Sequence, residues 1–280
     1  KIIAGTNPGQ IGHQWVKDKW ILGKHDENEK EADQFKFVRA LATDNPYLDK
    51  SYLVTLDSLP ERMRKAVRDG NWDVFEGQYF SEWDVQKHAV EPFQVPATWK
   101  KFRAYDHGRQ NPATCAWYAM DYDGNIWVYR ELYVKGLDVD QIAAEINRLS
   151  KIIDPATGRE MLETYEYSVA DPSIFANLGF VDRFGGQTIA ESFARHGIQF
   201  FPASNRRIDG WNLMHQYLRW DEHRQPRLRY FKNCYDSIRT IPSLIHDEVR
   251  PEDLDTQGED HAADRDRYLL MSLHERKSEL

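Results

Sequence analysis

Residues 258 to 273 read GEDHAADRDRYLLMSL. In a helix starting here, Asp260, His261 and Asp264 project to one side. Acids suit a helix N-terminus because the macrodipole is positive there, so Asp260 reads equally well as a plain N-cap. Asp264 lies a turn further on, beside residues with a buried pattern, where a carboxylate needs a partner. A divalent cation is one such partner. Two more aspartates end apolar, strand-like segments: Asp106 in Ala104-Tyr105-Asp106-His107-Gly108 and Asp171 in Val169-Ala170-Asp171-Pro172-Ser173. In open α/β sheets functional groups gather at the carboxyl ends of strands. An aspartate at a strand end is also a common turn residue, so each acid taken singly says less than the set. Three carboxylates from three distant segments suit one or two Mg²⁺ or Mn²⁺ ions, which favour oxygen ligands. Two such ions roughly 4 Å apart activate water and stabilise the leaving oxygen in phosphodiester cleavage.

Positioning these acids requires a sheet and a helix laid across it. The pattern predicts strands over 102–106, 113–121, 125–134, 165–170, 198–202 and 228–231, with Tyr122-Asp123-Gly124 as a hairpin turn. Helices are predicted over 138–153, 188–196, 210–219 and 235–246, followed by the helix that opens at residue 260. A hairpin meander feeding alternating strands and helices implies an α/β fold, a mixed sheet flanked by helices. Ahead of it the sequence suggests a strand at 1–4, a turn at 5–9, a short helix at 13–20, a charged loop at 24–34, a strand at 35–40 and helices at 49–58 and 60–69, the second opened by Pro60. Trp72, Phe75, Tyr79, Phe80 and Trp83 form an aromatic stretch, and 85–98 reads as an extended connector.

The 280 residues are 41% hydrophobic and 29% charged, which describes a soluble globular chain. No apolar run approaches the roughly 18 residues that span a membrane. The start shows no signal-peptide pattern, and Cys115 and Cys234 form no metal or disulfide framework, as expected in a reducing cytosol. The net charge of −8 excludes a generic nucleic-acid-coating domain but not an enzyme with a local basic groove. Lys100, Lys101, Arg206 and Arg207 are the candidate phosphate contacts, each also readable as solvated surface. His13, His107, His196 and His215 show no zinc spacing. His107, beside Asp106, is a further candidate at the site.

The segments AGTNPGQIGHQWVK, DNPYL, LDSLPERMRKAVRDGNWDVFEGQYFSEWD, FRAYDHGRQNPA, VADPSI and GEDHAADRDRY together resemble, in this order, the large terminase subunit of tailed double-stranded DNA bacteriophages. The resemblance covers nearly the whole chain. It implies an RNase H-like nuclease domain over 89–280, preceded over 1–88 by the end of an ATPase domain and its linker. No GxxxxGK[ST] phosphate loop occurs, so ATP hydrolysis by that machinery is not expected. Gly5-Thr6-Asn7 resembles the family's coupling motif, stranded without that loop. A truncated piece, a prophage fragment and the loss of an upstream polypeptide each account for this.

Carried over, the resemblance assigns Asp106, Asp171 and Asp264 as catalytic metal ligands. Asp260 is a further ligand, and His261 supports metal binding or proton transfer. Arg265-Asp266 departs from the family pattern: Asp266 is expected to face away from the site, and Arg265 to pair with it or with DNA. The implied activity is a Mg²⁺- or Mn²⁺-dependent endonuclease cutting concatemeric DNA in the host cytoplasm. Its implied partners are double-stranded DNA, the portal and the small subunit, with the protein a monomer alone and an oligomer in the motor. The competing reading is a non-catalytic docking module of that motor. An RNase H-like resolvase or transposase would also cut DNA, but the first 90 residues do not support it.

Overall fold

The computed structural model describes residues 5–6, 8, 13–23, 36–58, 64–72, 77–108, 111–154, 157–177, 188–247, 249–256 and 258–278. The chain divides into two compact units, Lys1–Ser81 and Glu82–Leu280. In the first, helix α1 (His13–Val16) runs into a π-helical turn, Lys17–Ile21. Helix α2 (Lys50–Asp57) is capped by the Asp49 carboxylate, which accepts from the Ser51 N–H at 2.7 Å. A second π-helical turn, Arg64–Arg68, is tied to α2 by an Arg68–Asp57 ion pair at 3.0 Å. Residues 36–40 are irregular where a strand was expected. The expected strand at 1–4, loop at 24–34 and helix start at Pro60 lie outside the described residues, as do Asn7 and Phe75.

The second unit is built on a seven-stranded mixed sheet. Its strands are β1 (Ala89–Val90), β2 (Lys100–Asp106), β3 (Ala113–Met120), β4 (Ile126–Val134), β7 (Tyr167–Ala170), β8 (Phe201–Pro202) and β9 (Leu228–Phe231), in the order β1-β9-β4-β3-β2-β7-β8. A separate hairpin joins β5 (Lys151–Ile153) to β6 (Glu160–Leu162). Strands β2, β3 and β4 form the antiparallel meander. Its turn holds because Asp121 accepts from the N–H groups of Asp123 and Asn125 while Gly124 takes φ +78°. Strand β7 lies parallel to β2, and β9 parallel to β4.

The helices are α3 (Val85–His88), α4 (Val139–Leu149), α5 (Ile189–Arg195), α6 (Arg207–Leu218), α7 (Tyr235–Thr240) and α8 (His261–Ser278). Three elements differ from the sequence reading. The supposed connector at 85–98 contains α3 and β1. The helix expected over 138–153 stops at Leu149, and Lys151–Ile153 turns into the β5–β6 pair instead. The helix expected over 235–246 ends at Thr240, because Pro242 cannot continue it and a 3₁₀ turn follows.

Helix α8 packs on β2, β3 and β7, with α6 alongside. Small residues make room for it: Ala104 and Ala116 face each other across β2 and β3 and are fully buried. Gly210 of α6 serves the same end, since a Cβ there would lie 3.1 Å from Cδ of Arg267. The face of α8 turned to the sheet carries Arg265 and Asp266, both fully buried. Arg265 donates to Thr114 Oγ1 at 2.7 Å, Glu131 Oε1 at 3.1 Å, Tyr118 Oη at 3.0 Å and Ser237 Oγ at 2.7 Å, and it pairs with Asp266 at 2.9 Å. Tyr118 and Tyr230 each donate to Asp266 at 2.6 Å. Burial opposes the charge on Arg265, but Asp266, Tyr118 and Glu131 more than offset it and hold the guanidinium protonated. Arg265 therefore pairs with Asp266 and is closed to DNA.

Removing one member strands the other's charge. Asp266→Ala should lower the stability of this unit by about 3–5 kcal/mol, and Tyr230→Phe by about 1–2 kcal/mol, both read by urea denaturation.

His88 is fully buried and stacked on Trp83. Its Nδ1 accepts from the Asp84 N–H at 3.0 Å and its Nε2–H donates to the Leu218 carbonyl at 2.9 Å. Burial depresses its pKa below 6.5. The folded state favours the neutral ring, so this contribution is complete above pH 6.5 and is lost as pH falls through the depressed value. The fall in stability below pH 6.5 should be shallower in His88→Gln, as measured by urea denaturation across that range.

Candidate metal centre

The parallel pairing of β2 with β7 sets Tyr105 beside Ala170, and the Asp171 N–H donates to the Tyr105 carbonyl at 3.0 Å. Asp106 and Asp171 therefore end neighbouring strands at the same edge of the sheet. Gly108 lets the chain turn away at once, since a Cβ there would sit 2.4 Å from the carbonyl oxygens of Asn111 and Pro112. Asp106 pairs with Thr114 on β3, the residue that Arg265 also grips. Fixing Arg265 and Asp266 thus fixes the first turn of α8 over the ends of β2 and β7.

That turn brings His261 Nδ1 to 3.1 Å from Asp106 Oδ2 and 4.0 Å from Asp260 Oδ1. The Asp260 carbonyl starts the helix, accepting from the Asp264 N–H at 2.9 Å. The Asp260 carboxylate accepts from Arg207 rather than capping α8. Asp106, Asp260 and Asp264 are all buried, with Asp171 more open. Burial pushes Asp106 up to about 7, against the His261 hydrogen bond and with the help of Asp264 and Asp171. Burial and Asp264 raise Asp260 to about 6. For His261 burial works against protonation, but Asp106, Asp260 and Asp264 together raise it.

Asp171 accepts from the Ser173 N–H at 2.9 Å and hydroxyl at 2.7 Å, opening a 3₁₀ turn. His107 Nδ1 meets the Tyr105 hydroxyl at 2.8 Å, and burial depresses its pKa. The basic candidates separate. Arg207 lies among the acids, 2.9 Å from Asp253, 3.2 Å from Asp260 and 3.8 Å from Asp264. Arg206 pairs with exposed Asp209 at 2.5 Å. Lys101 pairs with buried Glu163 at 2.8 Å. Lys100 and Lys101 start β2, roughly 20 Å along the strand from Asp106.

Sequence reasoning missed Asp253, Arg267 and the place of Trp211. Arg267 donates to Asp264 at 2.6 Å, and Trp211 Nε1–H donates to Asp253 at 2.9 Å. No local spacing links Asp253 to the acids; only the unusual density of charge in a buried helix hinted at Arg267.

The donors have the chemistry that a hard divalent ion requires, clustered carboxylates raised by burial and by one another, with an imidazole beside them. Their placement does not close around an ion: among the described residues, no three His, Cys, Asp or Glu side chains could hold a metal as they stand.

A mixed sheet of this order, with helices on its faces and acids at the carboxyl ends of β2 and β7, is an RNase H-like fold. It is the fold found in the nuclease domains of phage large terminases. The large terminase of a thermophilic bacteriophage superposes with a TM-score of 0.55 at 18% identity over 96% of this chain and 60% of its own length. A second crystal form of the same terminase gives 0.54 at 18% identity, covering 96% of this chain and 62% of that one. The P22 large terminase nuclease domain gives 0.54 at 15% identity, over 71% of this chain and 93% of that domain. This chain thus spans about three fifths of the length of the thermophilic phage's terminase. No family model matches the sequence, and no curated protein matches it.

Burial, more than the neighbouring Asp264 and Asp171, disfavours the Asp106 carboxylate, so above about pH 7 neutralising it removes a desolvation cost and some repulsion in the metal-free protein. Asp106→Asn should raise stability in EDTA by about 1–2 kcal/mol, checked by thermal melts.

Proposed function

We propose that the chain is the nuclease part of a phage DNA-packaging terminase, a divalent-metal-dependent endonuclease that cuts concatemeric double-stranded DNA. The observation that carries this reading is the meeting of Asp106, Asp171, Asp264 and His261 at one edge of an RNase H-like sheet. Asp106, Asp171 and Asp264 would hold the ion, with Asp260 extending the set, and an oxygen-rich donor set favours Mg²⁺ or Mn²⁺. One or two such ions would supply an activated water and stabilise the leaving oxygen of the phosphodiester. His261 orients the Asp106 carboxylate and holds a titratable proton beside it.

With a net charge of −8 the chain binds DNA weakly by itself. The portal, the small subunit and the rest of an oligomeric motor in the host cytoplasm would bring DNA to it. A second reading, a docking module for portal or small subunit without catalysis of its own, draws support from the unclosed arrangement of the acids.

Incubation with supercoiled plasmid separates the two. Relaxed and linear products should form with Mg²⁺ or Mn²⁺, disappear in EDTA, and fall more than about 100-fold in Asp106→Ala and Asp264→Ala. Intact plasmid in every lane would make the docking module the better reading.

A further inference from the structure

The acids at the edge of the sheet point to different partners. Asp106 turns to His261, and Asp171 to Ser173. Asp260 and Asp264 turn to arginines. Arg207 reaches three carboxylates with one guanidinium: Nε to Asp253 Oδ1 at 2.9 Å, Nη2 to Asp260 Oδ2 at 3.2 Å and Nη1 to Asp264 Oδ2 at 3.8 Å. Arg267 holds the other Asp264 oxygen at 2.6 Å. Both guanidinium groups lie over the Trp211 ring, 5.2 Å and 5.1 Å from its centre.

The two arginines are not equally free to leave. Arg267 is buried, and its Nη1 has no hydrogen-bond partner. Withdrawing it would break a packed core. Arg207 sits at the first residue of α6 with 27% of its side chain exposed. It has a path to water, and its long stem permits movement while the helix stays in place.

We infer that Arg207 is a tethered cation that holds Asp260 and Asp264 in a metal-free arrangement, and that a divalent ion must displace it from them in order to bind. The inference rests on the metal-dependent reading above. Its physical basis is competition for the same oxygens. Carboxylates gathered out of water repel one another unless a cation lies among them. Arg207 supplies one positive charge to Asp260 and Asp264 and occupies one oxygen of each. A divalent ion supplies two charges and requires those oxygens to converge. The protein would then be stable before metal arrives, and metal loading would release an arginine beside the site.

The test is titration of the 280-residue chain with Co²⁺, followed by calorimetry and by cobalt absorption bands, for wild type, Arg207→Met and Arg206→Met. Arg207→Met should bind Co²⁺ at least about tenfold more tightly than wild type. Arg206→Met, which loses only an exposed pair, should match wild type. Equal or weaker binding by Arg207→Met, with wild type still binding, would overturn the inference and leave the nuclease reading standing. No binding by either protein would remove both. If Arg207→Met does not fold, Co²⁺-soaked crystals of the wild type decide the matter. Cobalt bound with Arg207 more than about 4 Å from Asp260 and Asp264 supports displacement, and cobalt bound with both contacts intact refutes it.

Discussion

Helix α8 lays two opposite charges, Arg265 and Asp266, against the centre of the sheet with no solvent access. The arrangement is tolerable because the network is closed. Arg265 reaches Thr114, Tyr118, Glu131, Ser237 and Asp266, while both oxygens of Asp266 accept tyrosine hydroxyls. Glu131 in turn accepts from the N–H groups of Asp236 and Ser237. A buried ion pair of this kind contributes little net stability compared with a well-packed apolar contact. Its effect is directional. Leu and Val would let a helix rotate or slide over the sheet at small cost, whereas this network is satisfied at one rotation and one height.

That single setting carries over to the neighbouring positions. Asp264 is one residue, or about 100° of helix, from Arg265. His261 lies one turn before it. When Arg265 grips Thr114, His261 meets Asp106, because Thr114 is the cross-strand neighbour of Asp106. The acid edge is thus positioned by two backbone constraints, the β2–β7 register and the β2–β3 register, and by one side-chain constraint under α8.

The strand ends and the last helix were legible because their signals are local. An apolar run stopping at aspartate, followed by glycine or proline, reads as a strand meeting the sheet rim, and both Asp106 and Asp171 fit. The hairpin at Asp123-Gly124 was legible for the same reason. What could not be read depends on distant partners. Arg207 in Asn205-Arg206-Arg207 looks like solvated surface until Asp253, Asp260 and Asp264 surround it. Asp266 reads as facing away from the site, and Arg265 as a partner for it or for DNA, until Glu131 and two tyrosines appear across the sheet. The overlong helix at 138–153 failed because Lys151–Ile153 finds strand partners at Glu160–Leu162, a pairing that helical periodicity does not reveal.

The order of these segments along the chain has a consequence for synthesis. Asp106 and Asp171 can pair as soon as β2 and β7 have left the ribosome. His261 and Asp264 of α8 follow long after Asp171, and Arg265, which seats that helix on the sheet, is part of it. A nascent chain therefore carries a sheet with two acids but no assembled site until α8 emerges and docks. Until then the carboxylates at the ends of β2 and β7 stand without His261 and Asp264 beside them.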